Sequence, residues 1–293
     1  DVPPSDRMSG SGPHERLADS VSAYLGRGPP GQLPKKWEKF SDVVLLPSDA
    51  FTGRDWEEFR GVGLWQSVAE GLDALRVGQN GEITGETRES GVAMLLGDDD
   101  WVVRRESGID YGYRMTRCMF SAGNVNERRR MGEVAGQGEV VVNMFSGIGY
   151  YSLPILVHSR ASHVHCCEWN PEAIVALKWN LKKNRVEDRC TVHEGDNRLT
   201  SDALRGVADR VILGLLPTAE GSFESSIEIL RESGGALHVH GLARPNHYEK
   251  WSEEVLGKLG AISTSFDFTV SDLVRVKSYA PKWDHVVLDV QAS

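Results

Sequence analysis

Long hydrophobic runs are missing from this sequence. No apolar stretch approaches the roughly 20 residues that a membrane span requires, and no charged-then-apolar signal segment opens the chain. We therefore expect no membrane association and a cytoplasmic setting. The first residue is Asp1 rather than methionine, which suggests trimming from a longer polypeptide.

Cysteine is scarce, and metal-ligand spacing is missing. The 4 cysteines include no Cys-x-x-Cys pair, which favours reduced thiols over a disulfide scaffold or a zinc site. Two pairs of alternating histidines lie on predicted strands, but neither pair has a fourth ligand at a suitable spacing, so we expect no metal. The cysteines are Cys118, Cys166, Cys167 and Cys190, and the histidine pairs are His163 with His165 and His238 with His240.

Net positive charge is also missing. The chain has 33 Lys and Arg against 42 Asp and Glu, a formal net charge of −9, which argues against a broad surface for polyanions. Basic residues nevertheless gather in two regions with few acids. From charge alone, each region is either a solvated face or a contact for nucleic acid. The first region holds Arg104, Arg105, Arg114, Arg117, Arg128, Arg129 and Arg130, and the second holds Lys178, Lys182, Lys183, Arg185 and Arg189.

What the sequence does contain is a strand, a glycine turn and a helix in one short stretch. Val140 to Val142 is typical of a buried parallel strand, and Phe145 begins a turn with Gly147 and Gly149. A second predicted strand ends in Glu168, about 20 residues beyond the glycines. That is the usual separation of a carboxylate that accepts hydrogen bonds from both ribose hydroxyls, so the turn and the acid are predicted to share one nucleoside pocket.

Two absences in this turn distinguish between cofactors. The dinucleotide fingerprint needs a third glycine, and the third residue after Gly149 is Ser152, so NAD is disfavoured. No lysine or arginine stands in the turn to meet phosphate charge, whereas Gly147 and Gly149 let the backbone approach a ligand closely. S-adenosylmethionine, which has adenosine but no phosphate, fits both features. The alternative is a tight strand-to-helix connection that binds nothing.

A third predicted strand ends in the segment from Glu194 to Arg198. The side chains of Asp196 and Asn197 in this segment are predicted to form hydrogen bonds with the amino group and a ring nitrogen of adenine. An ordinary Asx turn is the alternative, because Asp and Asn side chains also bond to their own backbone.

The chain divides into three predicted parts. Residues 1–31 are rich in Pro, Gly, Ser and charge, and we expect a flexible segment with one short helix. Residues 32–112 are predicted to form a small α/β domain, in which Val92–Leu96 and Trp101–Arg104 pair as a hairpin. Residues 113–293 are predicted to form the cofactor-binding catalytic domain.

From Glu139 onward, strands and helices alternate, which predicts an α/β fold with a doubly wound, Rossmann-type sheet. The last two strands are joined at Ala280-Pro-Lys and are predicted to close the sheet as an antiparallel pair, a feature of the class I methyltransferase-like variant. The predicted strands are 140–144, 163–167, 190–194, 209–213, 235–240, 272–278 and 284–290, and the predicted helices are 150–158, 171–184, 221–231 and 247–259.

Six motifs follow one another in the chain. They are Cys118-Met-Phe-Ser-Ala-Gly-Asn-Val-Asn-Glu-Arg128, Phe145-Ser-Gly-Ile-Gly, Glu168-Trp-Asn-Pro171, Gly195-Asp-Asn-Arg198, Leu213-Gly-Leu-Leu-Pro217 and Val276-Lys-Ser-Tyr-Ala-Pro281. Together they resemble the tRNA wybutosine-synthesising aminocarboxypropyltransferases, relatives of the tRNA guanine-N1 methyltransferases that act beside the anticodon. The resemblance implies a class I methyltransferase-type domain after a smaller α/β domain.

The resemblance also implies a set of contacts to S-adenosylmethionine. Arg128 is expected to pair with the carboxylate of the methionine part, unless it belongs to a solvated face with Arg129 and Arg130. The implied contact residues are Ser121, Arg128, Glu168, Asp196 and Asn197.

Two positions distinguish the branches of this family. The methyltransferase branch carries Pro-Arg-Leu where this chain has Ala122-Gly-Asn124, and Asn-Leu-Pro where this chain has Gly214-Leu-Leu-Pro217. Because Gly123 and Gly214 remove both polar side chains, the sequence favours the aminocarboxypropyl branch.

The implied reaction transfers the 3-amino-3-carboxypropyl group of S-adenosylmethionine to C7 of the tricyclic base, 4-demethylwyosine, next to the anticodon of tRNA-Phe. Methylthioadenosine is released. The carbon that reacts is the one held in line with the nucleophile at about 3–3.5 Å, so positioning selects the product. No general base is assigned. The alternatives are guanine-N1 methylation at the same position and a non-catalytic tRNA-binding or cofactor-sensing module.

Overall fold

The computed structural model describes residues 12–81 and 90–293, and these residues form two compact units. The first unit extends to Arg104 and includes Arg114–Met119, and the second contains Arg105–Tyr113 and Phe120–Ser293. The chain enters the second unit at Arg105, returns to the first at Arg114 and enters the second again at Phe120. The expected domain boundary at residue 112 lies within the first of these stretches of the second unit.

A four-stranded sheet organises the first unit, in the order β1-β2-β3-β4. Its β2 and β3 are parallel, and the two outer pairs are antiparallel. The elements are α1 Pro13–Leu25, β1 Glu38–Phe40, β2 Val43–Leu46, a 3-10 helix Arg54–Phe59, α2 Val62–Gly71, β3 Arg76–Gln79 and β4 Ala93–Leu96.

The N-terminal segment contributes to the core of this unit. The predicted short helix is present as α1, and its residues Leu17 and Val21 are fully buried against α2 and the sheet. Residues four apart lie on one face of a helix, so α1 presents a single apolar side. The expectation of a flexible segment over residues 1–31 therefore does not describe residues 13–25, and residues 1–11 lie outside the described range.

The hairpin predicted from 92–96 and 101–104 is wrong. Strand β4 pairs with β3, whereas Trp101–Glu106 (β5) pairs with Ile109–Arg114 (β6). Ser107 and Gly108, which join β5 to β6, have φ angles of 50° and 81°. Two consecutive residues with positive φ make the tight turn that matches the twist of a hairpin, so the chain pairs across them.

The second unit contains a seven-stranded sheet in the order β12-β13-β11-β10-β7-β8-β9. All neighbours from β11 to β9 are parallel, and β13 is antiparallel to both β11 and β12. The elements are α3 Val125–Val134, β7 Val140–Asn143, α4 Ser152–His158, β8 His163–Glu168, α5 Pro171–Lys183, β9 Cys190–Glu194, α6 Asn197–Thr200, β10 Arg210–Leu213, α7 Phe223–Glu228, β11 Gly235–Ala243, α8 Tyr248–Ile262, β12 Phe268–Ala280 and β13 Trp283–Ala292.

This topology confirms the predicted fold class. Every strand and helix predicted beyond Glu139 is present, with its ends displaced by a few residues. Phe223, Val255 and Leu259 from α7 and α8 are buried against one face of the sheet. No helix within residues 12–81 and 90–293 is long and apolar enough to span a membrane.

The strand order creates a switch point at β7. From β7 the chain proceeds to β8 and β9 on one side of the sheet, and β10 and β11 lie on the other side. A crevice forms outside the carboxyl ends of the strands at such a point, and ligands of open α/β sheets bind there. The turn after β7 and the ends of β8 and β9 therefore face the same edge.

Candidate cofactor site

The turn after β7 has the backbone that its glycines permit. Gly147 and Gly149 have φ angles of 54° and 101°. A Cβ on Gly147 would lie 2.6 Å from the ring of Tyr150, and a Cβ on Gly149 would lie 2.9 Å from Leu153. The space beside both glycines is thus filled by the chain's own side chains, which explains the glycines by backbone conformation and packing. A close approach of ligand to this turn stays a prediction.

Phe145 and Glu168 lie at the ends of neighbouring parallel strands. The N–H of Phe145 donates to the Asn143 side chain at 3.2 Å, which holds the start of the turn. Glu168 ends β8, and one of its carboxylate oxygens accepts from the N–H of Gly147 at 2.6 Å. The predicted proximity of the turn and the acid is therefore present in the structure.

The Glu168 carboxylate is partly removed from solvent and fixed by backbone donors. Its other oxygen accepts from the N–H groups of Trp169 at 3.0 Å and Asn170 at 2.8 Å. Burial raises the pKa of Glu168 above its usual value, although these three backbone donors oppose the rise. A carboxylate held rigidly at a strand end can accept hydrogen bonds from a pair of hydroxyls.

Trp169 was not predicted from the sequence to contact a ligand. It follows Glu168 directly, and 51% of its surface is exposed. A large exposed indole beside a partly buried carboxylate offers a flat apolar face next to a polar group, which is the combination that a nucleoside requires. The sequence feature that could have identified this contact is an aromatic residue directly after the acidic residue at the end of a strand.

Asp196 and Asn197 differ in what their side chains already bind. The Asp196 carboxylate accepts from the backbone and side chain of Arg198, at 3.0 Å and 2.9 Å, and these bonds lower the pKa of Asp196. The Asn197 amide is buried, donating to the Met144 carbonyl at 2.7 Å and accepting from Ser222 at 3.0 Å. Asp196 caps α6, as in the Asx alternative. Adenine contacts from either residue stay a prediction.

Arg128 is not part of a solvated face. It is 2% exposed, and it forms a bidentate pair with Glu106 at 2.6 Å and 2.7 Å. A further N–H donates to the Ser121 carbonyl at 2.8 Å, and the guanidinium lies 4.7 Å from the centre of the Phe120 ring. The alternative of an exposed arginine run is therefore wrong at this position, because Arg128 is surrounded by groups of its own unit.

Lys277 belongs to one of the six motifs, but no role was predicted for it from the sequence. Its Nζ donates to the Ser121 Oγ at 2.6 Å, and Ser121 in turn donates to the Asn124 side chain at 3.3 Å. Burial, followed by the nearby charge of Arg128, lowers the pKa of Lys277. Ser121, Arg128 and Lys277 thus form one polar group in the second unit.

The two glycines that distinguish the family branches each lie beside a large side chain. A Cβ on Gly123 would lie 3.0 Å from Cδ and 3.3 Å from Nζ of Lys277. A Cβ on Gly214 would lie 3.0 Å from the ring of Tyr151. In this chain the groups beside the two glycines are therefore a lysine stem and a tyrosine ring.

The histidine pairs bind protein groups. His238 bonds to Asp289 at 2.7 Å, and His240 bonds to His285 at 2.9 Å. His165 bonds to His193 at 3.0 Å. No group of three or more His, Cys, Asp or Glu residues in the described part of the chain has the arrangement of a metal site.

Comparison with models of known protein families shows which family this chain belongs to. A model of the TRM5/TYW2 methyltransferase domain matches residues 102–267, which is more than half of the chain. The chain therefore belongs to the TRM5/TYW2 family. This membership confirms the relationship inferred from the six motifs.

Members of the TRM5/TYW2 family resemble the chain over most of its length. It is 42% identical to the tRNA wybutosine-synthesizing protein 2/3/4 of Arabidopsis thaliana, over 95% of this chain and 29% of that protein. It is 34% identical to the tRNA wybutosine-synthesizing protein 2 homolog of Homo sapiens, over 99% of this chain and 78% of that protein. The chain thus spans less than a third of the plant relative.

A solved structure in the family has the same fold. The crystal structure of P. horikoshii TYW2 in complex with MeSAdo has 30% sequence identity and a TM-score of 0.74. The alignment covers 89% of this chain and 91% of that chain. The TRM5/TYW2 fold therefore extends across both compact units.

Proposed function

We propose that the chain is an S-adenosylmethionine-dependent enzyme that transfers the 3-amino-3-carboxypropyl group to a tRNA base in wybutosine biosynthesis. The observation that carries this proposal is the Glu168 carboxylate, held by the N–H of Gly147 at 2.6 Å at the switch point of the sheet. Support comes from relatives named for wybutosine synthesis and from a TYW2 structure that holds MeSAdo, the nucleoside left after such a transfer.

The residues present fit the donor. Glu168 would bind the ribose hydroxyls, because its carboxylate is partly buried and oriented by three backbone donors. The exposed Trp169 would cover the adenine ring, and Asp196 would lie at the polar edge of that ring. The turn from Phe145 to Gly149 contains no cation, which suits a ligand without phosphate.

The donor supplies a sulfonium: the base carbon bonds to the γ-carbon of the amino-acid arm, the C–S bond breaks with its electron pair kept by sulfur, and the base carbon then releases a proton. The chain's part is orientation. Ser121 and Lys277, whose side chains are bonded to each other at 2.6 Å, would hold the arm, and Arg128 fixes the Ser121 backbone through its bond of 2.8 Å. We assign no general base.

The proposed substrate is the tricyclic base 4-demethylwyosine, at C7, next to the anticodon of tRNA-Phe, in the cytoplasm. The name of the human relative supports a tRNA substrate of this pathway. Gly123 and Gly214 favour it over guanine-N1 methylation, because these glycines lack the two polar side chains that the resemblance implies for the methyltransferase branch.

Isotope labelling tests the reaction. The purified protein is incubated with tRNA-Phe that carries the tricyclic base and with donor labelled separately in the methyl carbon and in the carboxyl carbon. Label in RNA from the carboxyl carbon is the expected result. Label from the methyl carbon alone would establish the methyltransferase alternative, and donor binding without transfer would indicate a non-catalytic module.

A variant tests the site independently of the reaction. Glu168→Ala is expected to lower the affinity for S-adenosylmethionine at least about tenfold, because a charged hydrogen-bond acceptor is lost. Calorimetric titration measures the affinity, and circular dichroism checks the fold. The matched control is Glu194→Ala, since Glu194 lies opposite Glu168 in β9 but is exposed and paired with Lys178. Normal binding by Glu168→Ala would refute the ribose assignment.

A further inference from the structure

Among the residues that the structure describes, Lys277 is a cation that forms no ion pair with a carboxylate. Its Nζ donates to a neutral hydroxyl, the Ser121 Oγ, at 2.6 Å. No carboxylate within residues 12–81 and 90–293 forms an ion pair with it. A partly buried ammonium costs free energy unless a negative group approaches it, so this position favours the binding of an anion.

Arg128, the other cation of the group, already has its anion. Glu106 binds it in a bidentate pair at 2.6 Å and 2.7 Å, and Arg128 is 2% exposed. An incoming carboxylate would have to displace Glu106 from Arg128. This ion pair is buried and has no net charge, and breaking a buried ion pair costs free energy of folding. Lys277 offers a positive charge, and no carboxylate of the described ranges would compete with a ligand for it.

The surroundings of Lys277 hold its ammonium in one place. The Ser121 hydroxyl accepts a hydrogen bond from Nζ and donates one to Oδ1 of Asn124 at 3.3 Å, so the hydroxyl has a defined direction. Gly123 makes room for the lysine stem, since a Cβ there would lie 3.0 Å from Cδ. Burial and the charge of Arg128 lower the pKa of Lys277, as expected for an ammonium that lacks a counter-charge.

We propose that Lys277 binds the α-carboxylate of the amino-acid arm of the donor, with Ser121 holding the ammonium in position. The inference rests on the proposed function and names the contact that orients the arm. Fixing the carboxylate end places the γ-carbon rather than the methyl carbon toward the base. Lys277 is thus a positioning residue for the choice of the transferred group.

Deleting the carboxylate from the ligand and the ammonium from the protein tests the contact. Affinities of the wild-type chain and of Lys277→Met are measured by calorimetry for S-adenosylmethionine, its decarboxylated form and methylthioadenosine. Lys277→Met is expected to bind S-adenosylmethionine about tenfold to a hundredfold more weakly, because a charge-assisted bond is lost. Affinities for the two ligands without a carboxylate stay within about twofold, and Lys277→Arg regains part of the loss.

The control is Lys282→Met, which removes an exposed lysine from the turn of the same hairpin and leaves all three affinities unchanged. Equal losses for all three ligands in Lys277→Met would show a structural role and overturn the proposal. Unchanged affinity for S-adenosylmethionine with weakened tRNA binding would assign Lys277 to an RNA phosphate and also overturn it. A wild-type chain that binds none of the ligands would refute the proposed function itself.

Discussion

Gly214 lies just after β10, and its missing side chain leaves room for a buried ring. A Cβ there would lie 3.0 Å from Cε2 and 3.2 Å from Cδ2 of Tyr151, closer than ordinary van der Waals contact. Tyr151 is 6% exposed and packs at 4.9 Å against the ring of His240. The ring cannot move away without disturbing other buried groups, so a side chain at this position costs stability.

We expect Gly214→Ala to lower the free energy of unfolding by about 1–3 kcal/mol, the usual cost of overpacking. Urea titration measures it. The control is Gly221→Ala, because no atom lies within 4 Å of the position of a Cβ on Gly221. The control is expected to stay within about 0.5 kcal/mol of the wild-type chain. Equal stability of the two variants would mean that the Tyr151 ring adapts to the added methyl group.

Arg128, Arg129 and Arg130 show what a local sequence cannot reveal. Consecutive residues of a helix point in different directions, and here each has a different environment. Arg128 pairs with Glu106, Arg130 pairs with Glu127 and Asp289, and only Arg129 of the three is exposed. Glu106 and Asp289 are 22 and 159 residues away from their partners, so no pattern around the arginines identifies them.

At the scale of elements, the second unit could be predicted because the sequence signals for its strands and helices are local. The run Val140 to Val142 and the Pro171 helix start depend only on neighbouring residues, and both elements are present. The hairpin between β5 and β6 was missed although Ser107 and Gly108 form a two-residue turn signal. The prediction used the longer turn, from Gly97 to Asp100, and did not consider the turn at Ser107 and Gly108.

A largely buried ionic network joins α3 to β13, the strand that lies between β12 and β11 in the sheet. Arg130 on α3 contacts Glu127 at 2.8 Å and Asp289 of β13, and Asp289 contacts His238 of β11 at 2.7 Å. Burial alone would raise the pKa of Asp289, but His238 and Arg130 hold it at about 2. The folded value is below that of an unfolded aspartate, so the carboxylate contributes stability above pH 4 and loses this contribution as the pH falls towards 2.

Asp289→Asn tests the network. We expect the free energy of unfolding at pH 7 to fall by about 2–3 kcal/mol, because about two pKa units separate the folded and unfolded carboxylate. The difference from the wild-type chain is expected to be smaller at pH 3 than at pH 7. Asp272→Asn on β12 serves as the control, since Asp272 is exposed. A difference that does not depend on pH would show that the ionised carboxylate is not the source of the stability.

For the molecule as a whole, the net charge of −9 means that the proposed tRNA substrate would have to bind through local clusters of cations. In the cluster near α3, cations such as Arg128 and Arg130 already form ion pairs with carboxylates of the same chain. Arg189 in the second cluster donates to the carbonyls of Leu156 and Ala161. The exposed cations Lys182, Lys183 and Arg185, at the end of α5 and just beyond it, are therefore the better candidates for an RNA contact.

We expect the double change Lys182→Glu with Lys183→Glu to weaken tRNA binding and to reduce the slope of log affinity against log salt by about 1.5–2, because two phosphate contacts are lost. Filter binding at several salt concentrations measures the slope. The control changes Lys250 and Lys258 of α8 to glutamate, so the net charge falls equally. If both doubles lose the same affinity, overall repulsion rather than a contact at α5 explains the effect. Because α5 begins at Pro171 and Lys182 lies about 16 Å further along the helix, loss of an RNA contact there is expected to leave the affinity for the donor unchanged.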